Sequence, residues 1–96
     1  MPVDEAKLNK AKERGAQAEA LIRNELLSEA FKTLEGEYIA AWGSTHPPDA
    51  EARENLWRAT QILGDVRRHL IKVANDGKLA QRELADLAAR FQNRAA

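Results

Sequence analysis

Apolar residues recur at alternating steps of three and four from Leu56 through Ala59, Leu63, Val66 and Leu70 to Val73. That narrow stripe predicts one long helix over 49–75. Asp49 follows Pro47-Pro48, where an N-cap belongs. Asp49, Glu51 and Glu54 crowd the first turns, and Arg67, Arg68, His69 and Lys72 the last, as the helix dipole favours. Asp76-Gly77 reads as the stop. Upstream, Leu27, Phe31, Leu34, Tyr38 and Trp42 share one face and predict a second helix over 24–42. Gly43 is placed to end that helix, and Pro47-Pro48 forbids its continuation. So short a connection makes the two helices antiparallel neighbours. The register expected sets Leu34 near Leu56, Phe31 near Ala59 and Thr60, and Leu27 near Leu63. Leu63 is then buried. The longer helix overhangs, so Ile62, Leu70, Ile71 and Val73 need cover from elsewhere.

Two thinner segments can supply that cover. Asp4 to Ile22 is rich in good helix formers, but Leu8, Leu21 and Ile22 are its only large apolar residues. Gly15 within it weakens the helix by roughly 1 kcal/mol relative to alanine, and so thin a stripe is marginal alone. The first residues should be loosely held. Asn24 either caps a new helix or lies inside one running straight through. Beyond Asp76-Gly77, Leu79, Leu84, Leu87 and Phe91 mark a short amphipathic helix within 78–94, with Asn93–Ala96 frayed. The expected fold is all-α. A core hairpin of helices at about 24–42 and 49–75 is flanked by a thinly packed N-terminal helix in 1–23 and a short C-terminal helix. All of it forms a single domain over 1–96.

Composition narrows the function. Hydrophobic residues are 44% and charged residues 31% of the 96, which suits a folded helical protein and not a disordered one. Fifteen Lys and Arg balance fifteen Asp and Glu, so no global field draws nucleic acid or an anionic membrane. Cysteine is absent, which excludes disulfides and thiolate metal sites. No apolar run approaches a membrane span, and MPVDEAKLNK has no apolar core of a secretory signal. The expected compartment is the cytoplasm.

No pattern supports an enzyme or a cofactor site. His46 and His69 are the only histidines, too few at matched spacing for a metal. Ser28 and Ser44 lack a nucleophile motif, and the carboxylates sit on polar faces. There is no glycine-rich phosphate loop. Arg67, Arg68, Lys72, Lys78 and Arg82 form the one basic cluster. It reads either as a phosphate-contacting patch or as a dipole-matched helix end with solvated charge; zero net charge favours the second. The 24–42 segment is acidic, with Glu25, Glu29, Glu35 and Glu37 against Lys32. Acidic and basic patches on one chain can meet between copies. Trp42 is expected in the core with Tyr38. Trp57 falls off the main stripe; it either closes the hairpin's end with Tyr38 or is an exposed interface anchor, and the candidate interface is Trp57, Ile62, Leu70 and Ile71.

The run from Glu29 to Leu84 carries EAFKTLEGEYIAAW, then Asp49-x-Glu51-Ala52-Arg53-Glu54-Asn55-Leu56-Trp57. Val66-Arg67-x-His69-Leu70 and Asp76-Gly77-Lys78-Leu79-Ala80-Gln81 follow. This pattern resembles small all-helical proteins of unassigned activity encoded by tailed bacteriophages and prophages. The resemblance implies a phage setting and places Trp42, Arg53, Glu54, Leu56 and Trp57 in a shared structural pattern. It implies no mechanism. The expected function is that of a non-enzymatic helical assembly or structural protein. It would act through protein–protein contacts as a homo-oligomer, in the bacterial host cytoplasm or on the virion. A nucleic-acid-binding module linked to DNA packaging and a small inhibitor of a host protein are the alternatives.

Overall fold

A computed structural model describes residues 4–95, with side chains through Asn93. The described residues are all-α: α1 is Glu5–Arg23, α2 is Glu25–Gly43 and α3 is Ala50–Ala95. Each start follows from a local hydrogen bond. The Lys7 backbone N–H donates to the Asp4 carboxylate at 3.1 Å, capping α1. Asn24 leaves helical geometry, with φ −67° and ψ 120°, and its side-chain oxygen accepts the Leu27 N–H at 2.8 Å. The chain is therefore broken at Asn24, for one residue only. The end of α2 is closed by hydroxyls. Ser44 Oγ donates to the Ala40 carbonyl at 3.1 Å and Thr45 Oγ1 to the Trp42 carbonyl at 2.6 Å. Gly43 is the last residue of α2 and keeps a negative φ, so its backbone freedom is not what ends the helix. Asp49 precedes α3, and its carbonyl accepts the Arg53 N–H at 3.0 Å. Its carboxylate turns back to the His46 N–H at 3.3 Å and does not cap the helix ahead of it.

The expected stop at Asp76-Gly77 does not exist. α3 is continuous for 46 residues, and no separate C-terminal helix forms. Gly77 is helical with a negative φ, and Asp76 accepts from Lys72 Nζ at 3.1 Å, one turn back. The helix also runs through the segment expected to fray, as far as Ala95. The loose ends expected at Met1–Val3 and Ala96 lie outside the described residues.

The chain divides into two compact units. One takes in the chain through Leu21 and from Leu70 onward; the other is Ile22–His69. In the first, α1 crosses the C-terminal part of α3 on small residues. Among the described residues, Gly15, Ala18, Ala74, Gly77 and Ala80 are the buried positions. The approach is so close that a Cβ on Gly15 would lie 2.5 Å from the Gly77 Cα and 3.2 Å from the Val73 carbonyl oxygen. A Cβ on Gly77 would lie 2.5 Å from the Gly15 Cα and 3.0 Å from the Ala11 carbonyl oxygen. Gly15 is therefore not merely a weak point in α1, as its sequence position implies. Its missing side chain lets the backbones meet, and the dispersion gained there offsets its poor helix propensity.

In the second unit α2 runs antiparallel to the N-terminal part of α3. Arg53 stacks 4.2 Å from the Trp42 ring centroid, and Arg67 5.2 Å from that of Phe31. The register therefore differs from the one expected. Phe31 lies under Arg67, about two turns beyond Ala59, and Thr60 instead lines a cavity with Tyr38 and Trp42. The reason is geometric: opposite residues are those equally distant from the middle of the connection, and the Trp42–Arg53 and Phe31–Arg67 contacts centre it between Pro47 and Asp49. No residue of Ile22–His69 is buried; Leu27, Phe31, Leu56 and Leu63 are half-covered. Leu63 was expected to be fully enclosed and is not.

Candidate protein–protein interface

Near the hairpin's closed end, Tyr38, Ile39 and Trp42 of α2 meet Leu56, Trp57 and Thr60 of α3 around an open cavity of about 220 Å³. Arg53 organises this end. Its guanidinium lies over Trp42, and Nη1 donates to Thr45 Oγ1 at 2.8 Å and to the Thr45 carbonyl at 3.4 Å. A planar fork can stack and donate at once, which an ammonium cannot. Trp42 is nonetheless exposed, at 43%, so it is not the core residue expected. The covering guanidinium replaces a buried environment with a half-wet one. Trp57 is 58% exposed and lines the same cavity as Tyr38 and Trp42.

Of the four candidate interface residues, Trp57 and Ile62 lie in the hairpin unit and do not share a face. Ile62 is 61% exposed but lies five residues beyond Trp57, about 140° around the helix. The two therefore face different sides. Leu70 and Ile71 belong to the other unit, where Leu70 is half-buried and Ile71 exposed. A grouping the sequence reading missed is more coherent. Leu26, Leu34, Ile62 and Val66 are all exposed aliphatics of the hairpin unit. Leu26–Ala30–Leu34 at steps of four, and Ala59–Ile62–Val66 at steps of three and four, were the available signal.

The basic cluster is largely matched by carboxylates. Arg68 pairs with Asp65 within α3. Lys72 pairs with Asp76 at 3.1 Å, and Lys78 lies 4.0 Å from Glu19 of α1. Arg67 is spent on Phe31. Arg82 is exposed. These pairs are solvated and contribute little stability, but they reduce the field a phosphate would meet. Among the described residues no group of three or more His, Asp or Glu could hold a metal ion. No described helix is long and apolar enough to cross a membrane. No family model, curated protein or solved structure matches the chain.

Proposed function

We propose that this chain is a non-enzymatic helical assembly protein that works by protein–protein contact, as a homo-oligomer. The observation that carries the reading is the exposure of the hairpin unit. Ile22–His69 has no buried residue, yet Leu26, Trp57 and Ile62 are each more than half exposed. Apolar surface left in water at that density marks an interaction site. The chain exposes 7767 Å². Folded monomers of its 10.7 kDa expose about 5,500 Å² by the usual scaling. The surplus over the whole chain is about 2,300 Å², against roughly 800 Å² that each partner contributes to a standard interface. Protein partners are thus favoured over phosphates, which the ion-paired cluster around Arg67 and Arg68 serves poorly. The phage setting rests on the sequence resemblance, and the host cytoplasm goes with it.

Size exclusion coupled to light scattering tests this across a range of protein concentrations. The expected mass is a multiple of 10.7 kDa at micromolar concentration. A monomer that persists at high concentration would overturn self-association.

A further inference from the structure

The hairpin unit carries two apolar flanks, and they are not equivalent. Ile39 and Trp57 line one cavity, so they mark one flank of the antiparallel pair. A step of five residues turns the surface about 140° on an α-helix. It leads from Ile39 back to Leu34 on α2, and from Trp57 forward to Ile62 on α3, away from the cavity on both helices. Val66 follows Ile62 by one turn, and Leu26 precedes Leu34 by two. Leu26 at 75%, Ile62 at 61%, Val66 and Leu34 thus form an aliphatic flank shared by both helices, with Ala30 and Ala59 between them.

Resting on the self-association reading above, we propose that this flank is where two copies meet, closing a four-helix bundle from two hairpins. A helix pair with an aliphatic flank on both members is half of such a bundle's core. It is self-complementary, as a two-fold interface requires. The alanines let a second pair of helices approach closely, while the four larger residues fill the layers.

Charge fixes the orientation. α2 carries Glu25, Glu29, Glu35 and Glu37 against Lys32, a net −3. α3 through His69 carries Arg53, Arg58, Arg67 and Arg68 against Glu51, Glu54 and Asp65, a net +1. Setting α2 against α2 of the second copy would juxtapose like charges; setting it against α3 of the second copy pairs opposite ones. The two-fold axis therefore runs along the helices, with both connections at the same end. Every helix is then antiparallel to its neighbours. Leu34 of one copy lies level with Ile62 of the other.

Two measurements on the full chain test this. Ile62→Glu should weaken association at least a hundredfold while retaining helicity, and Gln61→Glu, an exposed neighbour on α3 that turns away from this flank, should leave the mass unchanged. Leu34→Cys and Ile62→Cys are the milder pair, to be mixed and treated with a short-span bismaleimide. The mixture should yield a covalent dimer, and neither variant alone should do so. A wild-type chain that is monomeric overturns the self-association reading and this inference with it. A wild-type dimer that survives in helical Ile62→Glu overturns this inference alone. So does a mixture that fails to crosslink, or Leu34→Cys crosslinking to itself as readily as to Ile62→Cys.

Discussion

Replacing Gly15 by alanine has an effect whose sign depends on what Gly15 does. Alanine is the better helix former by about 1 kcal/mol in an exposed helix interior. If Gly15 were only a weak point in α1, the change would stabilise the chain by that amount. The structure predicts the reverse. The new methyl would lie 2.5 Å from the Gly77 Cα and 3.2 Å from the Val73 carbonyl oxygen, both backbone atoms that cannot rotate away. The helices must separate, and overpacking of this kind costs about 1–3 kcal/mol. Buried Ala18, Ala74 and Ala80 also lose contact as the crossing opens. The net expectation is destabilisation of about 1–2 kcal/mol, since the propensity gain offsets part of the clash. Gly77→Ala should behave alike, and the double variant should not be additive, because the two methyls contest one space. Gly36→Ala is the internal control. Gly36 is exposed in α2 with nothing near its absent Cβ, so it should show the propensity gain alone. Circular dichroism melts at one fixed protein concentration read the result, at about 4–8 °C per kcal/mol for a chain this size. If Gly15→Ala raises the midpoint as Gly36→Ala does, the close crossing is wrong.

Two further outcomes follow from the hairpin. Arg53→Ala should cost about 1–2 kcal/mol through lost stacking on Trp42 and lost bonds to Thr45, and Arg53→Lys should not restore it; thermal melts with tryptophan emission check both. Binding of a labelled DNA duplex, followed by anisotropy at several salt concentrations, should be weak at physiological salt and unchanged by Arg67→Ala with Arg68→Ala. A sub-micromolar affinity lost in that double variant would instead favour a packaging role.

The elements were legible where local signals decide them. The Pro47-Pro48 pair and the helical spacing within α2 and α3 are short-range facts, and the structure carries them; at Asn24 the sequence leaves a cap and a continuous helix both open, and the structure decides for the cap. Asp76-Gly77 was not, because a glycine that ends a helix and a glycine that admits a neighbouring helix look alike in one dimension. Only the partner, Gly15, distinguishes them, and it lies 62 residues away. The same long-range pairing explains why a thin, alanine-rich α1 packs at all: its small residues are the contact. Spacing gives an arc and not its centre, so Val66 falls on the inward stripe of the sequence but is exposed in the structure. The centre is set by which residues α2 touches, and that depends on a register the chain settles through Arg53 on Trp42 and Arg67 on Phe31. Of the adjacent Leu26 and Leu27, only one can face inward, and Leu27 does.

The two units therefore face opposite energetic problems. Around Gly15 and Gly77 the chain closes its own contact with the smallest residues it has, and what is buried there is buried within one copy. In Ile22–His69 the large residues are present but half-wet, so the hairpin's apolar surface is satisfied only when something covers it. If a second copy does, the stability of that unit is inseparable from protein concentration. Each tenfold dilution removes about 1.4 kcal/mol from a dimer, which for a pair of chains of this size lowers the melting midpoint by roughly 3–5 °C. Melts from a few micromolar to a few hundred, with Trp42 and Trp57 emission reporting the hairpin, should show that slope. The slope should vanish in Ile62→Glu, whose midpoint should already sit at the dilute limit. A midpoint for the wild-type chain that stays constant over two decades of concentration would mean that the hairpin is stable with its aliphatic flank in water, and the case for a covering copy would fail.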